Sequence, residues 1–111
     1  IGHFRRAFET CDVILSPATA VTAPVVPDNC EADGWSDLST VTELMRFAMP
    51  GNLTGLPAIT FPVGYDPRGL PTGMQAMGRP WAEATLLRVA YAAELVLARR
   101  RPPTFYDLLK R

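Results

Sequence analysis

The chain is poor in the residues that most chemistry needs. It has one histidine, two cysteines and one lysine. Cys11 and Cys30 are too few for a disulfide-dense secreted scaffold. No further ligand cluster accompanies them, and structural zinc wants four ligands, so a metal site is not expected. Two reduced intracellular thiols is the plain reading. Charge of either sign is also missing in excess: Lys plus Arg and Asp plus Glu are both 11, for a net charge of zero. A dedicated nucleic-acid binder usually carries a basic surplus, so no nucleic-acid partner is expected. No apolar run approaches the roughly 18 residues of a membrane span. No basic segment with an apolar stretch behind it opens the chain, so no signal peptide is read. The first residue is Ile1 and not Met, and Phe4, Ala7 and Phe8 sit at helical spacing. Residues 1–10 therefore read as the last turns of a helix begun upstream, and the chain as a fragment or a processed product.

What is there suits a soluble globular piece. Apolar residues make up 48% and charged residues 20% of 111, enough for a modest core. Proline is the outlier at 11, about twice the usual share. The prolines are scattered, which means many sharp turns and not a proline-rich linker.

Asp12-Val13-Ile14-Leu15 before Ser16-Pro17 predicts a short buried strand ended by proline. Residues 17–34, with four prolines, Asp28-Asn29 and Gly34, predict a long loop. Thr40 with Glu43 three residues on makes a capping box, followed by an apolar face of Leu44, Phe47 and Ala48 with Met45 beside it. Pro50-Gly51 then kinks or ends the helix, and residues 52–57 read as a turn-rich segment.

Ala58 to Val63 reads as a strand that Pro62 assigns to an edge or a bulge. The Tyr65–Pro71 segment is a hairpin connection, with Pro67 presetting the turn and Gly69 free to take positive φ. Thr72 to Met77 returns. From Ala82 to Arg100 there is no Gly or Pro, and Leu86, Ala90, Ala93 and Leu97 form a core stripe. Arg99, Arg100 and Arg101 close this helix, where cations complement the dipole; they read as snorkelling side chains and not as an RNA or lipid site. The tail, Thr104–Arg111, reads as a docked turn through Phe105, Tyr106 and Leu108. Three strands and two main helices give an α/β piece, a slice of a larger sheet covered by helices.

No catalytic set assembles from these residues. Serine hydrolysis needs a nucleophile beside a base. His3 reads as a surface residue of the terminal helix. Ser16 reads as a strand end, and Ser36 and Ser39 as helix-start groups. No Gly-x-Ser-x-Gly elbow occurs. Cys11 and Cys30 have no basic neighbour to lower their pKa. Glu31 and Asp33 read as a solvated acidic patch. The glycines are not spaced as a phosphate loop.

Longer stretches carry more. Gly51-Asn52-Leu53-Thr54-Gly55-Leu56-Pro57-Ala58-Ile59-Thr60-Phe61-Pro62-Val63-Gly64 resembles the C-terminal region of the amidase signature family. Gly69-Leu70-Pro71-Thr72-Gly73-Met74-Gln75-Ala76-Met77-Gly78-Arg79-Pro80 does as well, and Asp12–Pro17 resembles a family strand that ends in proline. The similarity runs over residues 4–98. Gly78-Arg79-Pro80-Trp81-Ala82-Glu83 and the tail Arg101–Leu109 look like the plant-type fatty acid amide hydrolases of that family.

The resemblance implies a fold and a chemistry. The fold is a large mixed sheet covered by helices, of which this chain is a C-terminal slice forming one partial domain. The chemistry is attack of a serine on an amide carbonyl, with a second serine and a lysine relaying the proton and backbone amides holding the oxyanion. The family carries that set upstream in a glycine- and serine-rich segment and on a strand. Neither is here, and Lys110 lies in the tail, so no catalytic residue is carried over.

The implied role is a supporting one, with no cofactor. The helix before Asn52 tends to line the substrate pocket in the family, which makes Met45, Phe47, Met49 and Asn52 the candidate pocket residues, against ordinary core packing as the alternative. Flexible methionines suit a fatty acyl chain. The implied partners are the upstream part of the same domain, an amide substrate of the fatty acyl class, and a second copy of the full enzyme in a homodimer. The rival within the family is the glutaminase component of the glutamine-dependent amidotransferases. That subgroup places an acidic residue seven before the asparagine, where this chain has Met45. The remaining alternative is a truncated, non-catalytic chain with a binding role or none.

Overall fold

The computed structural model describes residues 2–28, 30 and 34–97. Helix α1 spans Gly2–Ala7, strand β1 Val13–Pro17, helices α2 and α3 Leu38–Met45 and Met49–Thr54, strands β2 and β3 Ala58–Tyr65 and Pro71–Gly78, and helix α4 Glu83–Val96. The sheet order is β1-β3-β2, and both pairings are antiparallel. No helix among the described residues is long and apolar enough to cross a membrane.

The hairpin between β2 and β3 forms as its turn residues dictate. Gly69 has φ of 83°. Its N–H donates to the Asp66 carbonyl at 2.9 Å, and the Asp66 carboxylate accepts the N–H groups of Arg68 and Leu70, each at 2.9 Å. Pro62 meets both of its expected positions. It lies in an outer strand, and the β2–β3 register shifts between Pro62 and Gly64.

Side chains alternate across the sheet. Ile59 opposite Ala76 and Phe61 opposite Met74 point to one face, where α4 lies. Phe61, Ala76 and Leu86 are buried there, and Val89, Ala90, Ala93 and Leu97 pack around them. The stripe read from the sequence is thus the side of α4 that meets the sheet. Gly78 permits the close approach: a Cβ on it would stand 3.2 Å from Leu86 Cγ. Gln75 and Met77 point to the opposite face and are buried as well, because α3 and the turn before it cover that side. Met77 Cε lies 3.7 Å from where a Cβ on Gly51 would stand.

Four expectations are corrected. The cap of α2 is Asp37 and not Thr40: its carboxylate accepts from the N–H groups of Ser39 and Thr40 at 3.0 and 3.2 Å and from Thr40 Oγ1 at 2.7 Å. Helix α2 ends at Met45, before Pro50 is reached. Pro50 instead sits in the first turn of α3, where its missing N–H costs nothing. Most of the segment expected to be turn-rich is therefore helical, until Gly55 closes α3 with φ of 70°. Strand β1 is half-exposed rather than buried and includes Pro17, since α4 lies chiefly over β2 and β3. Helix α4 ends at Val96, with Leu97 as its cap. Arg99, Arg100, Arg101, Lys110, the tail, Glu31 and Asp33 lie outside the described residues.

Candidate functional site

The four candidate pocket residues fall on one corner. Met45 ends α2, Phe47 lies in the turn, and Met49 and Asn52 belong to α3. The corner is anchored from below. Gln75, only 6% exposed, donates from Nε2 to the Phe47 carbonyl at 2.9 Å and lies 3.4 Å from Ser16 Oγ. Thr54 Oγ1 donates to the Pro50 carbonyl at 2.6 Å, and the Gly55 N–H donates to the Gly51 carbonyl at 2.8 Å. A side chain held in the core fixes the backbone of the turn, and the turn presents its own side chains outward.

Those side chains do not converge. Met45 and Met49 are 42% and 46% exposed. Phe47 is half-buried. Asn52 lines a cleft of about 430 Å³ with Gly51, Gly55, Leu56, Pro57, Trp81 and Glu83. A neighbouring groove of about 450 Å³ shares Leu56 and Pro80 with it and is walled by Phe4, Phe8, Arg5 and Arg79. Neither hollow is lined by Met45, Phe47 or Met49.

Two residues were not singled out as site residues by the sequence. Arg79 read only as part of a closing turn. Its guanidinium donates to the carbonyls of Phe8 and Cys11 at 2.5 and 3.2 Å and lies 3.7 Å from the Asp12 carboxylate. It bolts the end of α1 to the β3–α4 turn. Trp81 is 93% exposed with φ of 65°, a conformation uncommon for a residue with a side chain. No local signal marks either role.

The other nucleophiles and bases stand apart. His3, Ser36 and Ser39 are exposed. Ser16 Oγ donates to the Pro17 carbonyl at 3.1 Å, and Cys11 Sγ to the Ala7 carbonyl at 3.1 Å. Among the described residues no three of His, Cys, Asp and Glu come together. Two carboxyls sit below their ordinary range. Asp37 is lowered chiefly by the Thr40 hydroxyl, then by backbone N–H groups. Asp66 is lowered first by the Leu70 N–H, with Arg68 and Thr22 adding to it.

The amidase family model matches residues 1–87. The chain belongs to the amidase family. It is 52% identical over 109 residues to a fatty acid amide hydrolase of Medicago truncatula, covering 96% of this chain and 18% of that protein. It is 40% identical over 91 residues to a component of the glutamyl-tRNA(Gln) amidotransferase of Myxococcus xanthus, covering 82% of this chain and 18% of that one. In structure it resembles 6-aminohexanoate cyclic dimer hydrolase, with a TM-score of 0.74 at 27% identity over 92% of this chain and 23% of that chain. The chain thus spans about one-fifth of the length of the amidases it matches. The antiparallel sheet with helices on both faces is that portion of the amidase fold.

Proposed function

We propose that this chain is the C-terminal part of an amide hydrolase acting on fatty acyl amides. It supplies three strands of the sheet and the α2–α3 corner as one wall of the acyl pocket. The serine–serine–lysine set lies in the remainder of the enzyme. There a serine oxygen adds to the amide carbonyl, the amine leaves with the relayed proton, and water releases the acid from the acyl-enzyme. The observation that carries this reading is the 52% identity to the Medicago truncatula enzyme over 96% of the chain. Met45 and Met49 at the corner's surface agree with it, since unbranched thioether chains adapt to an alkyl chain.

The glutamine-dependent amidotransferase is the second reading, favoured by the 40% identity to the Myxococcus xanthus protein. An apolar Met45 speaks for the acyl chain. The test is a chimera of the Medicago truncatula enzyme in which the matched stretch is replaced by this chain. It is expected to hydrolyse a long-chain fatty acyl amide, while the 111-residue chain alone does not. A folded, monodisperse chimera without that activity would sink the proposal, and release of ammonia from glutamine in its place would move it to the second reading.

A further inference from the structure

The two outer strands of the sheet are finished differently. Each pairs only with β3 among the described residues. Antiparallel pairs alternate between bonded and non-bonded, so which N–H groups face outward follows from one bond at each end. Ala18 N–H donates to the Gly73 carbonyl at 2.9 Å. In that register Ile14 and Ser16 turn their N–H groups to β3, and Val13 and Leu15 turn theirs away. Gly78 N–H donates to the Pro57 carbonyl at 2.9 Å. In that register Ala58 and Thr60 point outward, Pro62 has no N–H, and the strand then bulges.

Strand β2 is therefore blunted half-way along, as natural sheet edges are. Its inward-facing Ile59 and Val63 are covered by α4, and its outward side chains are Ala58, Thr60 and Pro62. Strand β1 runs without a bulge up to its last residue, Pro17. Leu15 stands opposite Ala76, which is fully buried, yet Leu15 is 51% exposed. The core layer that begins at Phe61 and Ala76 stops unfinished at Leu15. The chain accounts for only 18% of the length of its plant relative, so the material to finish it belongs to the rest of that length.

We propose that a β-strand from the remainder of the enzyme adds to the outer edge of β1, taking the N–H groups of Val13 and Leu15 and covering the Leu15 side chain, and that the sheet does not extend past β2. This rests on the reading of the chain as part of a longer amidase. Amide hydrogen exchange tests it. In the isolated chain Val13 and Leu15 exchange faster than Ile14 and Ser16. In the chimera with the Medicago truncatula enzyme, Val13 and Leu15 slow by at least ~100-fold while Ala58 and Thr60 stay fast.

Unchanged exchange at Val13 and Leu15 in a chimera that hydrolyses amides overturns the edge assignment and leaves the functional reading standing. Slowing at Ala58 and Thr60 in their place overturns it too. Protection of Val13 and Leu15 in the isolated chain that grows with concentration makes a second copy the occupant, which also overturns it. If the chimera does not fold, the matching amides of the native Medicago truncatula enzyme decide the same question, and fast exchange there refutes the assignment.

Discussion

A single amide side chain holds the candidate site to the fold. Gln75 is buried, and its Nε2 is the donor to the Phe47 carbonyl. In Gln75→Leu the shape is roughly kept but that carbonyl loses its partner. We expect a loss of about 1–2 kcal/mol, read as a lower urea midpoint at unchanged slope. A variant within ~0.3 kcal/mol of the parent, roughly the error of such data, would mean that the turn is held by other contacts. Asp37 gives a prediction about pH. Its folded pKa lies below the ordinary value because Thr40 and two backbone N–H groups bond to the ionised form. The contribution to stability is fully present above the unfolded value of about 3.9 and is lost as pH falls through the lower folded one. Helix α2 should therefore weaken on acidification below about pH 4, seen by far-UV circular dichroism. Asp37→Asn keeps an acceptor without the charge, and the part of the acid-linked change due to this residue should disappear. The sequence does not disclose either residue's role in full. Asp37 competed with Thr40 as a cap on local grounds alone, and Gln75 finds its partner 28 positions away in the chain.

Elements whose causes are local were legible. The hairpin followed from Asp66, Pro67 and Gly69, and the buried face of α4 from Leu86, Ala90, Ala93 and Leu97. The edge and bulge followed from the missing N–H of Pro62. The family itself was readable from the Gly51–Gly64 and Gly69–Pro80 stretches, and the match over residues 1–87 agrees. The break between α2 and α3 was not legible, because Pro50 can end one helix or open the next, and only the sheet beneath selects the second. The exposure of β1 was hidden too, since an apolar run looks the same in a central strand and at an unfinished edge. Two glycines test the elements they join. Gly55→Ala forces a side chain into left-handed backbone at the end of α3 and should cost about 1–2 kcal/mol. Gly78→Ala brings a methyl to 3.2 Å from Leu86 Cγ and should cost about 1–3 kcal/mol by lifting α4 from the sheet. Urea unfolding of both variants checks this. A Gly78→Ala chain as stable as the parent would show that α4 can yield at its first turn.

At the scale of the molecule, the core is small for the length. Among the described residues the buried apolar side chains are Phe8, Phe61, Ala76, Met77 and Leu86. Leu15, Leu87, Tyr91, Leu95 and Val96 lie largely in solvent, where a self-sufficient domain of this length would cover more of them. A small folded domain is stable by roughly 5–15 kcal/mol. This chain, with its sheet open at β1 and the outer side of α4 bare, belongs at or below the bottom of that range by itself. Leu86 is the largest contributor that one substitution can remove, because it is 2% exposed and closes the cluster against Phe61 and Ala76. Leu86→Ala at a core site costs about 2–5 kcal/mol, which is comparable to all the stability expected of the isolated chain. The variant should therefore be unfolded at room temperature as the 111-residue chain, with no cooperative urea transition. The same substitution in the chimera should lower the melting temperature and leave a folded enzyme, because the rest of the domain adds the burial that the isolated chain lacks. A Leu86→Ala chain that still unfolds cooperatively by itself would mean that these residues form an independent domain.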